Sequence, residues 1–404
     1  MAIIFDLDKK TYLCPVYYLT KIMIQRIQEQ QIKAALGKGK SIIIIGPRQV
    51  GKTTLVRQIT LSLNKSVLWL TGDDPAVRAQ LDDISLQNLR ILIGANEVVV
   101  IDEAQRLKNA GLTLKLITDQ MPHVWLFVTG SSALDIAAQT KENLTGRKFE
   151  YPLYPMSFVE MVQHHGYQQE QSLLEHRMLY GYYPDVVNNE PKLAQRILND
   201  LSDGLMYKDL LTLDQIKKPS ILVKLLQALA LQVGNEVRYN EIARLIGIDP
   251  STVEKYIDLL EQSFVVFRLS SLSRNARNEI KKGRKIYFFD VGIRNAIIKN
   301  FSPLSLRSDI GGLWENFLLA ERMKHNIYND NFCNTYFWRT ISQQEIDYVE
   351  EKGGTMHAFE FKWSPKKSAK FPQTFLDAYP NSEVQQIHQQ NFREFVGWED
   401  TIKQ

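Results

Sequence analysis

The sequence predicts an α/β protein built in several units: a parallel sheet covered by helices, a helical segment, a pair of helices leading into a β-rich run, and a smaller α/β unit at the end. Three observations predict it. Short apolar runs rich in Ile, Val and Trp alternate with helical or polar stretches between residues 41 and 129, as in strands buried on both faces. From about residue 163 to 231 the pattern is mostly helical. Strand-like runs return in the last part of the chain, after a helix around Trp314.

Taken in order, residues 22–36 read as an amphipathic helix ended by Gly37-Lys38-Gly39. Ser41–Ile45 is an apolar run followed at once by a Gly-rich turn and an apolar-periodic helix over 54–63, which gives strand, loop, helix. Residues 67–70, 98–101 and 124–129 are further short strands of the same sheet. Residues 237–269 give two helices joined at Gly247-Ile248-Asp249-Pro250-Ser251, then a β-rich run. The strands 335–339, 345–349 and 358–363 complete the end unit. The expected units are an N-terminal arm and helix (1–30), a sheet core (31–165), a helical lid (166–219), a helix-turn-helix unit (220–302) and the end unit (303–404). Residues 1–18 carry no pattern that assigns them a role.

At 404 residues the chain is too long for one compact core. Its 44 % hydrophobic and 23 % charged residues are ordinary for a globular protein. No apolar run reaches the roughly 20 residues that cross a bilayer, and the first residues lack the pattern of a secretory signal. The expected location is cytoplasmic, with no membrane partner. Cys14 and Cys333 match no metal-ligand spacing and are expected to be idle thiols. A net charge of +4 argues for no polyanionic partner by itself, but the basic residues cluster. Arg274, Arg277, Lys281, Lys282, Arg284 and Lys285 form one group, and Lys362, Lys366, Lys367 and Lys370 a second.

Gly46-Pro47-Arg48-Gln49-Val50-Gly51-Lys52-Thr53 fits G-x-x-x-x-G-K-[ST] at every fixed position, and Thr54 continues into the helix. The glycines let backbone N–H groups turn toward phosphates, and the helix N-terminus faces the same anions. Lys52 is expected on the β- and γ-phosphates of ATP and Thr53 on Mg²⁺. The strand over 98–101 ends in Asp102-Glu103, one carboxylate for the Mg²⁺ shell and one to polarise the attacking water. After the strand over 124–129, Gly130-Ser131-Ser132 places hydroxyls that either orient that water or cap the next helix. Arg147 is the candidate arginine for transition-state charge, on its own ATP or a neighbour's in a homo-oligomer, against the reading of a plain surface arginine.

Residues 239–260 have a helix-turn-helix cadence, with Ala243 at the crossing, Gly247 closing the first helix and Ser251 starting the second. Val253, Ile257 and Leu260 are expected inside, with Thr252, Lys255 and Tyr256 partly outward. The basic stretch 274–285 would lie between two wing strands, where phosphate contacts to DNA are expected. Glu254, Asp258 and Glu261 on the second helix speak for the alternative, a protein-docking module. In the end unit, Glu360 and Lys362 share a strand face while Phe359 and Phe361 enter the core. Asp347 on a neighbouring strand and Glu315 on the preceding helix would complete an oxygen-rich site suited to Mg²⁺ or Mn²⁺, with Lys362 orienting a water. The other reading is a salt-bridged remnant that keeps the fold without cutting.

Together these residues resemble the bacterial and archaeal AAA-type ATPases that carry a winged helix and then a restriction-endonuclease-like domain. The resemblance rests on the phosphate loop, Ile101-Asp102-Glu103-Ala104-Gln105, Thr129-Gly130-Ser131-Ser132 and Gly146-Arg147. It continues through Tyr154-Pro155-Met156-Ser157-Phe158-Val159-Glu160, Gly181-Tyr182-Tyr183-Pro184, Tyr287-Phe288-Phe289-Asp290-Val291-Gly292 and Gly312-Leu313-Trp314-Glu315-Asn316. Tyr182 stands where the family tends to have a second glycine, and Ile346 stands before Asp347 in place of proline. The resemblance implies a P-loop NTPase parallel sheet with a helical lid, a winged helix, and a smaller α/β nuclease-like domain of the PD-(D/E)xK order. The expected activity is ATP hydrolysis linked to DNA, with metal-dependent cleavage at Asp347, Glu360 and Lys362. The alternative is a nucleotide-dependent signalling or protein-binding switch whose nuclease-like fold is inert.

Overall fold

The computed structural model describes residues 23–131, 144–204, 219–272 and 283–399. The basic residues Arg274, Arg277, Lys281 and Lys282, the hydroxyl of Ser132, Cys14 and the segment 1–18 lie outside the described residues. Helix α1 (Gln28–Ala35) leads into strand β1 (Ser41–Ile45), the phosphate loop and α2 (Lys52–Ser62). Strands β2 (Val67–Thr71), β3 (Val98–Asp102), β4 (Trp125–Gly130) and β5 (Lys148–Pro152) join β1 in a five-stranded sheet of order β2-β3-β4-β1-β5. Every pairing in it is parallel. Helices α3 (Pro75–Leu81), α4 (Leu86–Ile93) and α5 (Ala110–Gln120) make the crossovers. β1 and β3 are buried at every position, which is why their sequences are continuously apolar. β5 is a strand that the apolar pattern does not reveal. It lies at the sheet edge, where Lys148 and Glu150 are tolerated.

A run of helices follows, of which Phe158–His165 opens on a capping box between Ser157 and Glu160. Tyr182 and Tyr183 are core residues, 2 % and 3 % exposed. Helix Pro219–Leu231 precedes β6 (Glu236–Val237), helices Tyr239–Ile246 and Pro250–Gln262, β7 (Val266–Ser271) and β8 (Arg284–Phe288). Gly247, with φ 75°, turns the chain between the two helices in the left-handed conformation that glycine adopts without strain. Val253, Ile257 and Leu260 are buried as expected. Tyr256 is not outward but 5 % exposed, because it shares their stripe at helical spacing.

The end unit contributes helix Ile310–Tyr328 and strands β9 (Asn334–Arg339), β10 (Glu345–Lys352), β11 (Thr355–Phe361) and β12 (Glu383–Ile387). These strands join β6–β8 in one seven-stranded mixed sheet of order β12-β11-β10-β9-β7-β8-β6. The seam is a parallel pairing of β7 with β9, Ser270 opposite Tyr336 and Ser271 opposite Phe337. The sheet therefore runs across position 302. Asn316 on the long helix fastens β8 as well: its Oδ1 accepts from Phe288 N at 2.9 Å and its Nδ2 donates to Phe288 O at 2.7 Å. No described helix is long and apolar enough to cross a membrane. Cys333 is a free, half-buried thiol that burial pushes up to about 11.

Candidate functional site: a phosphate loop and a buried charge cluster

Because the first sheet is parallel, the ends of β1, β3 and β4 all open on one edge, and the phosphate loop, Asp102-Glu103 and Gly130-Ser131 meet there. Gly46, Pro47, Arg48, Gln49, Val50 and Gly51 form the loop, with Gly51 at φ 92° and Gln49 at φ 62°. A side chain at Gly46 would strike the Leu153 carbonyl at 1.9 Å, so that glycine is needed for packing against the chain beyond β5. Lys52 is 5 % exposed and its ammonium donates to the carbonyls of Gly46 at 2.9 Å and Pro47 at 2.8 Å, folded over the loop it would use to hold phosphate. The Thr53 hydroxyl lies 3.1 Å from both carboxylate oxygens of Asp102. A hydroxyl and a buried carboxylate turned to one point fit the hard-oxygen shell of Mg²⁺. Thr54 follows in α2.

Two residues beyond the expected set organise this edge. Thr129 donates its hydroxyl to Asp102 and accepts from Glu103 N at 3.1 Å. The Gln105 amide donates both to Glu103 Oε2 and to Ser131 Oγ, the latter at 2.9 Å. Glu103 itself has φ 52°, an unusual conformation that turns its carboxylate out of the strand line. The sequence marks Gln105 and Thr129 only as members of motifs and gives them no role, because each looks like a routine end-of-strand or helix residue.

Arg26 is a third omission. It is 3 % exposed, and its guanidinium donates to the Val50 carbonyl of the phosphate loop at 2.7 Å, to Glu160 at 2.9 Å and to the Tyr154 carbonyl at 2.6 Å. It also approaches the Tyr328 hydroxyl at 3.4 Å, at the end of the long helix. Arg147, in contrast, lies at the opposite edge. Its carbonyl accepts from Ser41 N at 3.0 Å and its Nε donates to Asp119 at 2.6 Å. β1 separates Ser41 from the phosphate loop by about 16 Å at ~3.3 Å per residue, so Arg147 stands at the far edge of the sheet from the loop.

In the helix-turn-helix unit, Lys255, Arg244 and Ser251 are exposed. The acids of the second helix are neutralised internally: Arg268 pairs with Asp258 at 2.6 Å and with Glu261, and Arg284 with Glu254 at 3.4 Å. Lys285 corrects the expectation for the basic stretch. It is 1 % exposed and points into the protein, to Glu315 at 2.9 Å and Glu345 at 2.6 Å. β8 is buried from Lys285 through Phe288, so this lysine enters the protein with the strand, which a count of charges does not register.

Lys285 thereby enters the end-unit cluster. Glu315 also accepts from the Tyr287 hydroxyl, Asp347 accepts from Phe361 N at 2.8 Å, and Glu360 pairs with Lys362 at 2.8 Å. Phe359 and Phe361 are buried on the other face, as the strand pattern requires. Burial and Asp347 push Glu315 up to about 7 against the pull of Lys285. Burial and Asp347 also raise Glu360, opposed by Lys362. Burial alone lowers the Lys285 pKa, but Glu315, Asp347 and Glu345 outweigh it and the ammonium is held charged. The expected metal shell of Asp347, Glu360 and Glu315 is not what these residues form. Each carboxylate is turned onto an internal donor, and among the described residues no group of three or more His, Cys, Asp or Glu is gathered to hold a metal ion.

Comparison with known proteins places part of the chain. Residues 38–162 match the family described as an AAA domain. Residues 171–304 and 310–396 match two families described as domains of unknown function (DUF8612 and DUF4143). An uncharacterized protein of Mycobacterium tuberculosis is 26 % identical over 342 residues, covering 82 % of this chain and 72 % of its own. One of Haemophilus influenzae is 25 % identical over 338 residues, covering 77 % of this chain and 79 % of its own. Among solved structures, the Pif1 helicase of Candida albicans has 17 % identity and a TM-score of 0.26, over 45 % of this chain and 48 % of that one. The chain thus spans about half of that helicase chain. The Thermotoga maritima RuvB Holliday junction branch migration motor has 17 % identity and a TM-score of 0.30, over 65 % of this chain and 92 % of its own. Superpositions this loose bear on neither fold nor function.

Proposed function

We propose that this chain is an ATP-hydrolysing switch that acts on DNA. The observation that carries the ATPase reading is the convergence of Lys52, the Thr53–Asp102 pair and the Gln105-held Glu103 on one edge of a parallel sheet. Lys52 leaves the Gly46 and Pro47 carbonyls for the β- and γ-phosphates. Thr53 and Asp102 would hold Mg²⁺, which would supply neutralising charge to the phosphates. Glu103 accepts the proton of the attacking water, and Gln105 with Ser131 fixes the carboxylate. The order of helix, short strand, two helices and two strands over 219–288 supports a winged helix, whose DNA contacts would come from Lys255, Arg244 and the stretch 274–282. Lys285 is excluded from that footprint by burial, and Arg284 is engaged by Glu254.

The order Glu315, Asp347, Glu360, Lys362 supports a nuclease-like end unit. The pairing of each carboxylate inside the protein favours a second reading, in which that fold is inert and the switch signals through protein contacts. ATP turnover with and without duplex DNA, in the protein and its Glu103→Gln variant, tests the proposal. We expect Glu103→Gln to bind ATP and lose turnover by about two orders of magnitude or more, and DNA to stimulate the unaltered protein. Normal turnover in the variant overturns the role of Glu103, and no turnover in the unaltered protein overturns the ATPase assignment. Turnover indifferent to DNA, in protein that does not bind it, moves the reading to the protein switch.

A further inference from the structure

Four carboxylates, Glu315, Glu345, Asp347 and Glu360, lie on a helix and two adjoining strands of the end unit, each turned onto a donor of the protein. Their most enclosed cation is Lys285, supplied by β8 from the helix-turn-helix unit. The ammonium stands 2.9 Å from Glu315 Oε1 and 2.6 Å from Glu345 Oε1, and 5.5 Å from the centroid of the Phe337 ring. Two carboxylates from different elements and an aromatic face therefore enclose one nitrogen. Arg339, at 3.6 Å from Glu345, and Lys362, on Glu360, complete the compensation. A buried ammonium is costly unless its donors are used, and a fold that needed only packing there would carry an apolar residue.

We propose that the Lys285 ammonium is the resident cation of this cluster and holds it closed to divalent metal. The inference rests on the nuclease-like reading of the end unit. Mg²⁺ binds oxygen ligands at about 2.0–2.1 Å, closer than the 2.9 Å at which Lys285 donates to Glu315 Oε1, so an ion on that oxygen would displace the ammonium. Ammonium and metal compete for it, and one must leave for the other to bind. Removing the ammonium takes away the cation that Glu315 and Glu345 share and leaves carboxylate oxygens on adjoining elements open to a hard divalent ion. The position of Lys285 on β8 makes occupancy of the cluster depend on the helix-turn-helix unit.

The test is Mn²⁺ binding to the nucleotide-free full chain, counted by electron paramagnetic resonance of the free ion, for the protein, Lys285→Met, and Lys285→Met with Asp347→Asn. Lys285→Met is expected to gain one site at least about tenfold tighter than any in the parent, and Asp347→Asn to remove it. ATP turnover, which Lys285 does not serve, reports that the variants are folded. Should Lys285→Met fail that control, the parent decides: Asp347-dependent Mn²⁺ binding in the micromolar range overturns the proposal, and no such binding supports it. A folded Lys285→Met that gains no site overturns it as well. A site gained without DNA cleavage leaves the proposal standing and sinks only the nuclease reading.

Discussion

Arg26 ties the phosphate loop to the rest of the molecule through four groups, and its carboxylate partner Glu160 is 1 % exposed. Removing one partner of a buried, hydrogen-bonded pair leaves the other charge without compensation and costs roughly 3–5 kcal/mol. Arg26→Met should therefore lower stability by that amount in denaturant unfolding. Arg26→Lys should recover only part of it, since a single ammonium cannot serve Val50, Tyr154 and Glu160 in the geometry of a planar fork. Full recovery by lysine would mean that charge alone matters at this position. Arg26 follows a segment without a readable pattern, and nothing local marks it as a ligand of a loop that comes after it.

Helix Ile310–Tyr328 carries a different chemistry at each end: Glu315 in the charge cluster, Glu321 and Lys324 against the start of helix Phe158–His165, and Tyr328 against Arg26. Gly234 is shaped to it, since a side chain there would come 3.1 Å from both Glu315 and Gly312. Glu315 has a proton affinity raised from 4.5 to about 7 by burial and Asp347. An acid with a raised folded pKa binds its proton more tightly folded than unfolded, so its contribution favours the fold at low pH and is lost as pH rises from 4.5 through about 7. The raised Lys285 pKa acts only above its ordinary value of 10.5, outside that window. His164, His176 and His325, lowered by burial, act in the opposite sense. The prediction is accordingly a difference. Between about pH 5 and 7 the stability of the protein should fall relative to that of Glu315→Gln, measured by thermal unfolding. Parallel curves would show that Glu315 does not titrate there.

At the scale of the whole molecule, one apolar cluster joins the first sheet to helices Tyr239–Ile246 and Pro250–Gln262, and another packs the other face of that sheet against Phe264, Phe289 and Tyr328. Units that share cores and a sheet stand or fall together. A fragment ending at residue 302 would strip β9 from β7, leave Lys285 without Glu315 and Glu345, and expose the faces that Tyr328 and Phe317 cover. We expect it to lose cooperative unfolding and ATP turnover together. A fragment that unfolds cooperatively and turns over ATP normally would establish an independent boundary there.

The sequence by itself determined the phosphate loop, the Asp102-Glu103 strand end and the first four strands of the parallel sheet, because these are local patterns of glycine, charge and continuous apolar residues. It also determined which faces of 253–260 and 359–362 turn inward, Tyr256 excepted, because helix and strand periods are fixed by backbone geometry. Only the tertiary structure decided the rest. The edge strand β5 has too little apolar signal to be read. Arg147 is separated from the phosphate loop by the direction of β1. Lys285 looks like one more basic residue of a solvated stretch until β10 and the long helix bring Glu345 and Glu315 to it. Which partner a charge meets is set by contacts between segments far apart in the chain, and whether it meets water or protein is set by burial, which local composition does not encode.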